Sequence, residues 1–181
     1  VLEVVEALGT VVVTSAGNRM ADVSLYSPEN TGLVLTVGAI GHDESLASFS
    51  NKGWGVDVVA PGGGPSTGGG VRVPRRNILS LAPLAGLENE ELFIIDGRYR
   101  RLAGTSMSAP HVAGAVALLK SVAPDLTPHE VRATIRSAVR DLGAPGHDPF
   151  FGPGLLDLAQ LVEATPVDVR IEWQGPATGE L

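Results

Sequence analysis

Residues 104–114 read GTSMSAPHVAG, and Ser106 is the residue there whose type and setting could do chemistry. A serine hydroxyl is a weak nucleophile until a base removes its proton. Gly104 would let the backbone turn sharply before it. The apolar run after it reads as a buried helix, which would hold the Ser106 N–H at a helix N-terminus, where developing negative charge is favoured. By spacing alone, a serine in that position more often caps the helix. The base is harder to find among the four histidines, His42, His111, His129 and His147. His111 lies five residues beyond Ser106, on what reads as a buried face of the same helix, and is expected to pack. His129 belongs to the start of another helix, and His42 and His147 fall in loops.

Other chemistries are poorly supported. The G-x-S-x-G elbow fails because Ser108 stands where its second glycine belongs. No G-x-G-x-x-G opens a helix, and GGGPSTGGG (62–70) lacks the lysine of a phosphate loop. The chain has no cysteine, which excludes disulfides and thiolate metal sites. Its formal charge is −7, and no basic cluster exceeds Arg72, Arg75, Arg76 and Arg98, Arg100, Arg101, so nucleic acid is not an expected partner. No apolar run approaches membrane-spanning length. The chain begins at Val1 rather than Met, so the lack of a leader sequence carries no information.

The elements that must position Ser106 follow from periodicity. With 181 residues, 44% hydrophobic and 18% charged, the chain suits one globular domain. Residues 2–8, LEVVEAL, read as the end of a helix stopped by Gly9. TVVVTSAG (10–17), VLTVGAI (34–40) and VDVVAPG (56–62) are apolar without alternation, as strands covered on both faces are. ILSLAP (78–83) is a shorter candidate, and FIIDGRYRRLAG (93–104) a hairpin turning at Asp96-Gly97. Residues 108–124 form an almost wholly apolar helix, expected to be buried all round. Residues 126–143 form another, with Thr127, Pro128 and Glu130 as cap, first position and capping box, and Val131, Ile135, Val139 and Leu142 as its apolar stripe. Residues 154–164 suggest a third. VDVRIEW (167–173) alternates like an exposed strand or a linker. A both-face-covered strand needs neighbours, yet TVVVTSAG is the first strand here, so further sheet upstream is expected.

GTSMSAPHVAG closely resembles the nucleophile motif of the subtilisin-like serine proteases, G-T-S-M-A-x-P-H-V-A-G, departing only at Ser108, where alanine is usual. VVVTSAGN (11–18) resembles the strand ending in that family's oxyanion-hole asparagine. LTVGAI (35–40), SFSNKGWGVDVVAPG (48–62) and FGPGLLDLAQLV (151–162) resemble later segments in order, with Phe151 where tyrosine is usual. The resemblance implies an α/β fold: three layers, a mostly parallel sheet with helices on both faces, and N-terminal strands missing. Residues 1–165 would be the C-terminal portion of the catalytic domain, and 166–181 a linker or the start of a further segment.

The same resemblance implies peptide-bond hydrolysis through an acyl-enzyme on Ser106. Asn18 and the Ser106 N–H would hold the oxyanion. Ala16, Gly17, Arg19 and Thr105 would contact substrate, Arg19 disfavouring basic side chains. The family's Asp and His lie in D-[ST]-G and H-G-T-H motifs, which this chain lacks. Asp22, Asp43, Asp57 and Asp96 all sit in other contexts. The upstream part of the same catalytic domain is then the partner supplying them, and this chain alone would be inactive. The alternative is an inactive subtilase-like pseudoenzyme serving as a binding or assembly module. The chemistry needs no cofactor. Structural calcium is left open, with Asp43 and Glu44 near one family position, although Gly41 stands where Asp is common. Substrates would be proteins or peptides, without nucleic acid or membrane, and the location secreted or extracellular.

Overall fold

The computed structural model describes residues 1–64, 76–82 and 94–163. Three parallel strands come first in the main sheet. After a short helix α1 (Leu2–Ala7), which ends ahead of Gly9 at φ 81°, the apolar runs become β1 (Val12–Ser15), β2 (Val34–Ile40) and β3 (Val58–Pro61). They pair in parallel, Val12 opposite Val34 and Val37 opposite Val58. All of β2 is buried, as an apolar run flanked on both sides requires. β1 differs: each of its residues is half-buried, and it lies at the edge of the sheet.

A separate antiparallel sheet follows. β4 (Ile78–Leu81) pairs with β6 (Tyr99–Leu102), which also pairs with β5 (Ile94–Ile95). The turn between β5 and β6 spans three residues, Asp96, Gly97 and Arg98, the first two left-handed at φ 51° and 62°. ILSL therefore belongs to the hairpin sheet, not to the parallel one.

Helix α2 (Thr105–Val122) begins three residues earlier than its apolar run suggests, so Ser106 lies inside its first turn. The expectation that it is buried all round is corrected. Thr105, Ser108, Val112, Ala115, Val116 and Leu119 are buried, whereas Ser106, Pro110, His111, Ala113, Gly114 and Ala117 are exposed. Its buried face covers β1, β2 and β3 through a core that includes Leu35, Val37, Val58 and Ala60.

Helix α3 (Pro128–Ser137) starts as its cap predicts. The Thr127 hydroxyl accepts from the Glu130 N–H, and the Glu130 carboxylate accepts from the Thr127 N–H at 2.8 Å. It ends at Ser137 rather than running to Gly143. Val139 leaves the stripe for β7 (Val139–Arg140), and Leu142 joins a second core. Residues 154–164 likewise split into β8 (Leu155–Leu156) and α4 (Leu158–Glu163). Tertiary pairing explains both departures: β8 runs parallel to β3 at Val59–Leu155 and antiparallel to β7.

The main sheet thus has the order β1-β2-β3-β8-β7. Helices α2, α3 and α4 reach its core from one face. Val23, from a short 3₁₀ helix (Val23–Leu25), and Val56, Leu142 and Phe151, from outside helices and strands, pack the opposite face against Ala16, Ile40 and Val59. Buried Arg132 of α3 donates to the Leu33 carbonyl and pairs with Glu6 of α1. Arg136 Nε donates to Asp57 at 2.7 Å, while the other Asp57 oxygen accepts the Thr36 N–H at the same distance. Residues 65–75, 83–93 and 164–181, which include most of GGGPSTGGG and all of VDVRIEW, lie outside the described residues.

Candidate active site

The carboxyl ends of β1, β2 and β3 converge on the start of α2, the end of a parallel sheet where ligands commonly bind. The Gly62 N–H donates to the Ile40 carbonyl, and the Gly104 N–H to the Gly62 carbonyl, at 3.0 and 2.9 Å. Gly62 must lack a side chain: a Cβ there would stand 2.5 Å from both Ala39 Cβ and Ser108 Oγ. Gly104 caps α2 at φ 154° and ψ 162°, a conformation essentially reserved for glycine. These two glycines bring the helix start against the sheet and leave Ser106 exposed.

Thr105 is the hinge of the site. Its N–H and hydroxyl both donate to Asn18 Oδ1, at 2.9 and 3.0 Å, and the hydroxyl accepts the Gly17 N–H at 3.1 Å. Because Oδ1 is held by two donors, the Asn18 amide has one orientation. Its Nδ2 is turned towards Gly104, 3.4 Å from where a Cβ would lie. The Ser106 N–H is one of the groups that a helix start leaves unpaired. The first turn of α2 holds no acidic residue, so the positive end of the helix dipole is not offset locally. An amide side chain fixed next to Gly104 and an unpaired N–H at the helix start are groups able to donate to developing negative charge.

Asn51 holds the other end of this loop. It is buried, its Oδ1 accepts the N–H groups of Arg19 and Ala21 at 2.8 and 3.1 Å, and its own N–H donates to the Gly17 carbonyl. Gly17 has φ 98°, and a Cβ would stand 2.6 Å from Asn51 Nδ2. Sequence reasoning missed Asn51, and it took Thr105 for a substrate contact. Thr105 is fully buried and stands behind Asn18. Ala16 also points inwards, its methyl in the second core, so only backbone remains there for a ligand. Arg19 is exposed at the rim beyond Asn18.

No histidine among the described residues bonds Ser106. His111 is exposed rather than packed, a second correction of the all-round burial expected for α2. Its Nδ1 lies 2.8 Å from the Met107 carbonyl; since a carbonyl only accepts, Nδ1 carries the proton. It shares a cleft with Ser106, Met107, Pro110 and β4 residues 78–80. Five residues turn a helix by 500°, so the two side chains diverge by about 140° and His111 is not aimed at the hydroxyl. Asp57 serves Arg136 and Thr36, remote from Ser106. In the loop considered for calcium, Asp43 accepts from Ser45 and Glu44 pairs with Arg140 at 2.6 Å.

The comparisons bear on family and fold. The subtilase family profile matches residues 3–154. An extracellular protease of Xanthomonas campestris pv. campestris is 38% identical over 135 residues, covering 74% of this chain and 20% of that protein. Subtilisin BL of Lederbergia lenta is 32% identical, covering 82% of this chain and 45% of its own length. Among solved structures, a protease from Pseudoalteromonas arctica superposes with TM-score 0.71 at 33% identity, over 91% of this chain and 45% of the other. A lanthipeptide protease shares the fold at TM-score 0.75 and 24% identity, over 90% and 53%. The chain thus spans about half the length of these structures, and from a fifth to under half of the two curated relatives. With its fold, its glycine-framed serine and its sequence in accord, the chain belongs to the subtilase family.

Proposed function

We propose that this chain carries the nucleophile and oxyanion donors of a serine endopeptidase, completed by an Asp and a His from the upstream part of the same catalytic domain. The observation that carries this reading is the pair of Thr105 hydrogen bonds that turns the Asn18 amide nitrogen outwards beside the start of α2. The incoming imidazole takes the Ser106 Oγ proton as the oxygen attacks the peptide carbonyl. Asn18 Nδ2 and the Ser106 N–H hold the resulting oxyanion. Its collapse breaks the C–N bond, the imidazolium protonating the departing amine and leaving an acyl-Ser106 that water hydrolyses. The exposed parts of α2 and the half-buried edge of β1 are where the completing segment would sit. Arg19 at the rim would favour acidic over basic side chains before the scissile bond. The names of the relatives support protein or peptide substrates and secretion.

Fluorophosphonate labelling tests this reading. The chain alone should label slowly at Ser106, and addition of the upstream segment of its own precursor should accelerate labelling by several orders of magnitude; loss of the triad histidine costs about 10⁶ in turnover in subtilisin. Ser106→Ala should remove the label. Slow labelling in the folded, assembled protein would instead mark an inactive binding or assembly module.

A further inference from the structure

Asn18 lies beyond β1 in a loop, residues 17–21, outside any strand. Its amide must nevertheless be held to a fraction of an ångström if it is to meet charge that exists only in the transition state. Thr105 fixes the end of the Asn18 side chain and accepts the Gly17 N–H. Neither contact reaches the two peptide units that flank Asn18.

Those two units are held by one residue. The Asn51 N–H donates to the Gly17 carbonyl at 2.9 Å, which fixes the unit before Asn18. Asn51 Oδ1 accepts the Arg19 N–H at 2.8 Å, which fixes the unit after it, and also the Ala21 N–H at 3.1 Å. All three bonds fall on the loop that carries Asn18. The backbone on either side of Asn51 adds two more, the Met20 N–H to the Phe49 carbonyl at 3.1 Å and the Lys52 N–H to the Ala21 carbonyl at 2.9 Å. Between them they keep Met20 left-handed at φ 56°, a conformation that costs a methionine free energy unless its surroundings impose it.

Asn51 is itself tied to the sheet. Its carbonyl accepts from Ser50 Oγ at 3.0 Å, and that same oxygen accepts the Ala39 N–H of β2 at 3.1 Å. The residue is 2% exposed, so water has little access to Oδ1. A path of hydrogen bonds therefore runs from the centre of the sheet, through Ser50 and Asn51, to the peptide units on both sides of Asn18.

We infer that Asn51 is a positioning residue for the reaction. It sets the place of the Asn18 amide from the backbone side, as Thr105 does from the side-chain end. Asn51 acts through Asn18, and the inference rests on the oxyanion role proposed for Asn18 above.

A double-mutant cycle tests this, in the catalytic domain expressed with its upstream segment, with kcat taken per active site titrated by a fluorophosphonate. Asn18→Ala should lower kcat by about 10²–10³, the loss on removing one such donor in subtilisin. Asn51→Ala should lower kcat about tenfold or more and leave KM within about twofold, because a donor needed only in the transition state is misplaced. In the Asn18→Ala background no amide is left to misplace, and Asn51→Ala should cost less than about threefold further. Full additivity of the two losses would overturn the inference, since a residue that only holds the fold costs activity whatever stands at position 18. A rise in KM with kcat unchanged would overturn it too. Unaltered kcat in Asn18→Ala would strike the oxyanion reading itself, and the role of Asn51 with it. Asn51→Ser is a milder change that leaves one acceptor, and it carries the same cycle if Asn51→Ala does not fold.

Discussion

The two edges of the main sheet are built differently. β7 is two residues long, runs antiparallel to β8, and ends in Arg140, which reaches Glu44. Short, charged edges resist further pairing. β1 is four residues of VVTS, parallel to β2, uncharged and half-buried throughout. Helix α2 repeats the contrast across its own width, with a fully packed face of Val112, Ala115 and Leu119 and an open one of Ala113, Gly114 and Ala117. One side of the domain is closed and the other is left exposed, and Ser106 lies on the exposed side.

The largest expected effects separate the two faces of α2. Leu119→Ala should cost about 2–5 kcal/mol, the range for truncating a fully buried leucine. Ala117→Ser, two residues away on the open face, should stay within about 0.5 kcal/mol in the isolated chain. Urea melts of both variants would measure this, and comparable losses would show that the open face is already packed. Thr105→Val comes next. It keeps the shape but removes the hydroxyl shared by Asn18 and Gly17, and should cost about 1–3 kcal/mol. In an assembled enzyme it should lower kcat with little change in KM, because it loosens a donor needed only for the oxyanion. A change confined to KM would place Thr105 against substrate after all.

A smaller effect of opposite sign is expected at Ser108. Its Oγ is buried without a hydrogen-bond partner among the described residues, at a position where the family motif has alanine. Ser108→Ala should raise stability by about 1 kcal/mol in the same melts. A loss would reveal a hydrogen bond that the static structure does not contain. The edges themselves are tested by Arg140→Ala and Thr14→Lys. The first removes an exposed ion pair and should change stability by less than about 1 kcal/mol. The second puts a charge on the open edge and should reduce light scattering by the isolated chain, which an edge with no tendency to pair would not show.

What could be read from the sequence follows from how far each signal travels along the chain. Strand β2 was legible because burial on both faces leaves one unbroken apolar run. The start of α3 was legible because Thr127, Pro128 and Glu130 act on one another within three residues. The end of α3 and the whole of β8 were not, since β8 is decided by pairing with β3, nearly a hundred residues away in sequence (Val59 with Leu155), and β7 by pairing in turn with β8. Composition also concealed the sidedness of α2: alanine and glycine read as apolar wherever they point. The two motifs drew attention to Ser106 and Asn18, but Thr105 and Asn51 bond backbone groups 88 and 32 residues distant. Only the fold brings those partners into view.

Acid should narrow the contrast between the closed and the exposed side. The Glu130 carboxyl is held below its ordinary value of 4.5, first by the Thr127 hydroxyl and then by the Thr127 N–H, with burial opposing them slightly. A carboxyl lowered on folding adds stability that is fully present above its unfolded value and is lost as pH falls through its folded one. The start of α3 should therefore loosen as pH drops below about 4.5, seen as faster amide exchange at Val131 and Arg132 relative to the rest of the helix. Neither β1 nor α2 contains an aspartate or glutamate, so the exposed side has no such group of its own to lose. Glu130→Gln keeps a side chain able to complete the capping box, and should remove the acid sensitivity while leaving α3 formed at neutral pH. Unchanged acid loosening in that variant would show that Glu130 is not its source.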